Sequence, residues 1–164
     1  MKNTDISIYV PVYNGEKTLE RCINSVLEQS IKPSNILILN DCSNDNTIEI
    51  LKRYGALIRI KSNQSNLGLS HSRNIAVNEL KTRYIASIDA DVELDKYWLE
   101  ILYSSILKNG ATLAGGRMYE KYLSNPFNHW RSLRIGQQWG DKDLTEPSFI
   151  FGCNNILDTE RIEK

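Results

Sequence analysis

The sequence predicts an α/β domain: a mainly parallel sheet flanked by helices, in a single unit spanning 1–164. Two observations lead there. Short β-rich runs alternate with longer segments of helical period, as in successive βαβ units. At 164 residues the chain is also long enough to bury a real core, hiding roughly two-thirds of its unfolded surface. It contains no internal repeat and no low-complexity tract.

The elements follow in order. ISIYVPV (6–12) reads as the first strand. In GEKTLERCINSVLEQS, Leu19, Cys22, Ile23, Val26 and Leu27 recur at helical spacing, so one face of that helix covers the sheet. NILILN (35–40) is the second strand, and NDNTIEILKRY offers Asn44 or Asp45 as cap before Ile48 and Leu51. LIRIK (57–61) is the third, and GLSHSRNIAVNEL offers Ser70 or Ser72 as cap before Ile75, Ala76 and Leu80. YIASID (84–89) is the fourth. Its helix, KYWLEILYSSILKN, sets Trp98, Ile101, Leu102, Ser105 and Ile106 on one side and stops at Asn109-Gly110.

TLAGGRMYE (112–120) and SFIFGCNNIL (148–157) complete the strands. Between them Tyr122, Phe127, Trp130, Leu133 and Trp139 mix with Lys121, Arg131, Arg134 and Lys142 without a clean period. That stretch reads as a loop with a short helix, its aromatics either packed on the core or forming an acceptor-site or membrane-surface patch. LDTERIEK reads as a helix just beginning, so the chain reads as part of something longer.

Charge narrows the function. Lys plus Arg and Asp plus Glu each total 20, so no overall field draws the chain to nucleic acid or an anionic membrane. Cys22, Cys42 and Cys153 form no C-x-x-C pair and read as thiols in a reducing compartment. With no long apolar run, signal peptide and membrane span are both absent from the reading, which is cytoplasmic, and the sequon at Asn63 is a loop.

Ligands of an open parallel sheet sit outside the carboxyl ends of its strands. Three polar groups fall there: Val12 to Asn14, Asp41 to Thr47, and Asp89-Ala90-Asp91. If the chain stays extended, Asp89 and Asp91 point to one side and can share a divalent cation, which also relieves their mutual repulsion. Such an ion would stabilise a diphosphate leaving group, while Asp41 either accepts hydrogen bonds from a base or ribose or caps the next helix. DADVELDKYWLE (89–100) spaces acids as a calcium loop does, but Leu94 stands where the tight turn demands glycine. An aspartate-nucleophile phosphatase is the alternative reading of D-x-D, short of its downstream acid pair. Neither G-x-G-x-x-G after the first strand nor a P-loop is present.

SIYVPVYNGEKTLERCINSVLEQS, ILILNDCSNDNT, NLGLSHSRNIAVNEL and YIASIDADVEL together resemble the successive motifs of family 2 glycosyltransferases, closely over residues 6–117 and loosely over 148–157. The resemblance implies the Rossmann-like GT-A fold, a nucleotide-diphospho-sugar donor (usually a UDP- or GDP-sugar) and inversion at the anomeric carbon. It also implies a saccharide or lipid-linked acceptor, and leaves open membrane association of the parent at the inner face. Residues 1–117 would be the nucleotide-sugar-binding half, and 118–164 the start of an acceptor-side half whose catalytic part is missing. Pro11, Val12 and Tyr13 would line the nucleotide, Asp41 would contact uracil, and Arg73 would lie near the nucleotide and diphosphate. Asp89, Ala90 and Asp91 match D-x-D, with Asp89 on ribose or metal and Asp91 on Mg²⁺ or Mn²⁺. His71 stands where the family carries glycine or alanine and receives no role.

On the acceptor side, Gly152 would let the backbone approach the sugar and Asn154 would offer an amide to hydroxyls; a bulged core strand is the plain alternative. Gly115 and Gly116 carry the same ambiguity. The same resemblance implies a general base, an Asp or Glu, some way past the FGCNN region, so it is expected beyond Lys164; Asp158 and Glu160 come too early for it and read as the start of a surface helix.

Overall fold

A computed structural model describes residues 4–134 and 143–162. Its strands are β1 (Ile6–Val12), β2 (Asn35–Asn40), β3 (Arg59–Ser62), β4 (Tyr84–Ile88), β5 (Leu113–Gly115) and β6 (Asn154–Asp158). Its helices are α1 (Leu19–Leu27), α2 (Thr47–Lys52), α3 (Leu69–Glu79), α4 (Trp98–Asn109) and α5 (Pro126–Arg134).

The six strands form one sheet in the order β3-β2-β1-β4-β6-β5. β1 to β4 run parallel, and β6 lies antiparallel between β4 and β5. Strand alternation gives two cores. Ile6, Ile8, Val10 and Val12 meet α1, α2 and α4 on one face, through residues such as Leu19, Ile23, Leu51 and Leu102. Tyr9, Leu37, Leu39 and Ile85 meet Ala76 and Leu80 beneath α3 on the other. Covered on both sides, β1 and β4 are buried throughout, which is why their sequences are nearly unbroken apolar runs.

Several elements differ from the sequence reading, each for a tertiary reason. β3 is an edge strand shifted to 59–62, because Gly55 to Leu57 turn as a short 3₁₀ helix. β5 stops at Gly115, where its ladder with β6 ends at Gly115↔Asn155, and β6 starts at Asn154, the residue paired with the last of β4 (Ile88↔Asn154). On α4, Leu99 is buried and Ile101 exposed, the reverse of the periodic expectation. Neither Ser70 nor Ser72 caps α3; both lie within it and Gly68 precedes it. The chain after β6 makes a 3₁₀ turn over Thr159–Arg161 in place of a helical start. Of the aromatic and basic stretch, Trp139 and Lys142 lie outside the described residues, while Phe127 and Trp130 stack on one another on α5, both exposed. Gly110 ends α4 in the left-handed conformation, φ +62°.

Candidate functional site

Strand order reverses between β1 and β4, and the register shows the crevice opening there. β1 pairs with β2 as far as Val12↔Asn40, but with β4 only as far as Tyr9↔Ser87. Beyond that point the two strands part, leaving residues 10–12 without a partner in β4. Pro11, which has no N–H to donate, is tolerated in this central strand because the ladder to β4 has already ended. Pro11 and Val12 are buried at the crevice, and Tyr13 is half-exposed just past it.

β4 ends at Ile88, and Asp89 begins a turn closed by Val92 N–H donating to the Asp89 carbonyl at 3.1 Å. The extended geometry expected for Asp89 and Asp91 is therefore replaced by a turn, because the chain must reverse to reach α4. Asp89 follows Ile85 and Ser87 on the α3 face, where Arg73 Nη2 donates to its Oδ1 at 2.9 Å. Burial, the largest influence, pushes the Asp89 carboxyl above its ordinary range; Arg73 opposes this and the Asp91 charge adds to it. Asp91 is exposed and, among the described residues, has no hydrogen-bond or ion-pair partner. Among the described residues no three His, Cys, Asp or Glu side chains converge into a metal cage. The donor set nonetheless fits a hard cation, since Mg²⁺ commonly takes one or two carboxylates and completes its shell with substrate phosphate and water.

Asp41, just past β2, is buried and accepts from Asn63 Nδ2 (2.7 Å) and Leu67 N–H (2.9 Å) on one oxygen and from Gly68 N–H (2.7 Å) on the other. It does not cap α2; it fixes the loop that enters α3. Gly68 takes φ +85° to present its N–H there. Burial would raise the Asp41 carboxyl, but the three hydrogen bonds and the nearby His71 outweigh it and hold it below the usual range. The rest of the 41–47 segment stitches two loops together. Asn14 N–H donates to Ser43 Oγ (2.9 Å), Gly15 N–H to Thr47 Oγ1 (2.8 Å) and Glu16 N–H to Asp45 Oδ2 (3.0 Å). Asn14 (φ +54°) and Cys42 (φ +61°) adopt left-handed backbone at the ends of β1 and β2, strain of the kind that gathers at functional rims.

On the acceptor side, Gly152 lies against Arg73, and Ser87 Oγ donates to its carbonyl at 2.7 Å. Asn154 is a correction to the sequence reading. Buried, it spends its amide inside the protein, accepting from Trp98 Nε1 (2.5 Å) and donating to the Arg117 carbonyl (3.3 Å), so it faces no hydroxyl. A side chain at Gly116 would strike that same amide, so this glycine serves core packing. Asp158 is a second correction. It is buried, not on a surface helix, and pairs across from Tyr84 at the opposite end of β4 from Asp89, about 16 Å away for five strand residues.

Ser87 and Glu93 went unnoticed in the sequence. Ser87 had one signal, its two-residue step from Asp89. Glu93 accepts from Arg21 Nε (3.0 Å), Lys121 and Tyr122, anchoring the 119–122 segment beside the turn; a single sequence gives no sign of this.

A model of glycosyl transferase family 2 matches residues 7–160. The chain belongs to that family. The match sets aside the phosphatase reading. Over 160 residues the chain is 34% identical to glycosyltransferase GlyA of Streptococcus pneumoniae, covering 96% of this chain and 22% of that protein. Over 117 residues it is 34% identical to the poly(ribitol-phosphate) beta-N-acetylglucosaminyltransferase TarP of Staphylococcus aureus, covering 68% of this chain and 36% of that one. The chain thus spans between 22% and 36% of the length of these relatives.

Two solved structures share the fold. The mannosyltransferase PcManGT of Pyrobaculum calidifontis, in complex with GDP-Man and Mn²⁺, superposes with TM-score 0.70 at 14% identity, over 98% of this chain and 46% of that one. S. aureus TarS 1-349 in complex with UDP gives TM-score 0.60 at 24% identity, over 66% and 33%. The six-stranded, mostly parallel sheet of this family 2 member is the GT-A arrangement. Among its described residues no helix is long and apolar enough to cross a membrane.

Proposed function

We propose that this chain is the donor-binding part of a metal-dependent, inverting glycosyltransferase that takes a nucleotide-diphospho-sugar, UDP-linked first of all, and passes the sugar to a saccharide or lipid-linked acceptor. One observation carries the reading: where β1 and β4 part, two carboxylates and a guanidinium share one rim, and among the described residues the outer carboxylate has no partner and the guanidinium keeps an unpaired Nε. The complexes of related folds with UDP, and with GDP-Man and Mn²⁺, support it.

In this reading Pro11 and Val12 floor the nucleotide and the Tyr13 ring lies against the base. Asp41 borders the base through its remaining lone pairs and through the loop it fixes. Arg73 turns its spare N–H groups toward the diphosphate. Asp89 and Asp91, joined by Ala90, hold Mg²⁺ or Mn²⁺, and the ion, when bound, neutralises the departing diphosphate. Gly152 brings the acceptor-side backbone to the rim, and Asn154 supports it from within. Asp158, at the opposite end of β4 from the rim, is given no part in proton transfer in this reading.

Calorimetric titration with UDP and with GDP, each in Mn²⁺ and in chelator, tests the proposal. UDP affinity is expected to rise about tenfold with Mn²⁺, or 1.4 kcal/mol, and to lose that gain in Asp91→Ala. Affinity indifferent to Mn²⁺ would contradict it. Incubation with UDP-sugars and a saccharide acceptor then separates a donor-binding module, which binds without turnover, from a complete catalyst.

A further inference from the structure

We infer that Ser87 and Gly152 are positioning residues for Arg73: the Ser87 hydroxyl anchors the bare backbone of Gly152 over the guanidinium and so fixes it against Asp89. The geometry stands by itself; its consequence for ligands rests on the donor-site reading above.

A Cβ built on Gly152 would lie 2.8 Å from Arg73 Nη1, 3.2 Å from Cζ and 3.3 Å from Nη2. Three guanidinium atoms at such similar range mean that the glycine covers the group itself and leaves no room for a side chain. The absence of a side chain at position 152 therefore serves an arginine of this protein before it serves any sugar. The end of a long side chain usually moves aside at little cost, but this one is gripped. Nη2 is bound to Asp89 at 2.9 Å, while Nε is buried with no partner among the described residues. A guanidinium free to relocate would find a partner for a buried donor. Packing, more than hydrogen bonding, keeps it in place.

Both jaws of the grip come from one short stretch, the end of β4 and the first residue of the turn after it. Ser87 and Asp89 are two residues apart on the α3 face; Asp89 takes the arginine and buried Ser87 takes the Gly152 carbonyl at 2.7 Å. No other residue lies between them on that face. The loop before β6 is thereby clamped to the donor-side ion pair, and a shift in one is felt by the other. At the donor site, this grip decides how Arg73 is shared between Asp89 and a diphosphate.

The test is a double-mutant cycle between Arg73→Ala and Asp89→Ala, read by denaturant unfolding in wild-type, Ser87→Ala and Gly152→Ala backgrounds. The two substitutions are expected to shift the unfolding midpoint non-additively in the wild type and additively in the other two. Coupling that persists in both variant backgrounds, or that is missing from the wild type, overturns the inference whatever the protein binds. Ser87→Ala removes only a hydroxyl and decides the matter should Gly152→Ala fail to fold.

A second arm measures UDP in the presence of Mn²⁺. Each single variant is expected to lose about tenfold in affinity, with uridine affinity unchanged and no further loss on an Arg73→Ala background. A further loss there means that the variants act other than through Arg73, which also overturns the inference. Failure of the wild type to bind UDP at all would remove the donor-site reading while leaving the unfolding cycle to decide the positioning.

Discussion

Both ends of β4 set an aspartate against an arginine, and the two pairs have opposite characters. At the end where β4 begins, buried Asp158 accepts from Arg83 Nε (3.1 Å) and Nη2 (2.9 Å), from Arg161 Nε (3.2 Å) and from Glu160 N–H (3.2 Å). The Arg83 hydrogen bonds lead in holding its carboxyl below the usual range, against its burial. At the other end Asp89 receives one bond from Arg73, sits near the Asp91 charge, and is pushed up by burial. A completed network fixes β6 and the chain after it, whereas an incomplete one leaves charge and hydrogen-bonding capacity for something that arrives. The same two residue types thus serve structure at one end and, in the proposed function, a ligand at the other.

Exchanging what each end loses would break the contrast. The largest effect is expected from Asp158→Ala, about 3 kcal/mol of stability, at the lower edge for a broken buried pair because Arg83 is partly solvated. That corresponds to a melting temperature lower by roughly 6–12 °C in a scanning experiment, with UDP affinity unchanged. Asp91→Ala should do the reverse: the whole Mn²⁺-dependent gain in UDP affinity, about tenfold or 1.4 kcal/mol, is lost, with stability within about 0.5 kcal/mol of wild type. If Asp91→Ala unfolds the chain while Asp158→Ala abolishes binding, the two ends have been assigned the wrong way round.

Asp41→Ala sharpens the picture from a position that serves both roles. It leaves the Asn63 amide and the Leu67 N–H without their acceptor, while the Gly68 N–H keeps Asn66 Oδ1 (3.1 Å), at about 1–2 kcal/mol of stability, and should weaken uridine binding in the absence of metal. Unchanged uridine affinity would confine Asp41 to holding the loop.

The smallest effect is in pH dependence, where the two ends should differ in sign. The Asp158 carboxyl is lower in the folded protein, so its contribution is full above the unfolded value of about 3.9 and is lost as pH falls through the folded one. Asp158→Asn should flatten the acid limb of the stability curve. The Asp89 carboxyl is higher in the folded protein, so its ionisation works against folding. That relative advantage at acid pH disappears as pH rises through the folded value. Asp89→Asn should therefore be slightly more stable than wild type at neutral pH, by an amount that solvent screening keeps small.

What the sequence disclosed follows the same division. β1 and β2 emerge with the bounds read from the chain, because strands covered on both faces leave an unbroken apolar signature. β5 and β6 came out too long, since β5 is limited by its three-residue ladder with β6 and β6 begins opposite the end of β4, limits that neither run encodes alone. α3 begins after Gly68, not at a serine, because Asp41 reaches from 27 residues away to take the Gly68 N–H. At the rim, Asp89 and Asp91 stood out as paired acids past a strand. The turn that separates them, the Arg73 partner and the Ser87–Gly152 anchor all depend on which elements become neighbours. Asn154 was misread for the same reason, as nothing local announces that Trp98 will claim its amide.

Manganese electron paramagnetic resonance tests the central claim most directly, that the Asp89 and Asp91 carboxylates hold a divalent cation beneath a diphosphate. The account predicts that wild-type chain and UDP together quench the free Mn²⁺ signal well beyond UDP alone. It also predicts that the signal returns with Asp91→Ala or with uridine in place of UDP. Equal quenching by the wild type and by an Asp89→Ala, Asp91→Ala double variant would contradict it.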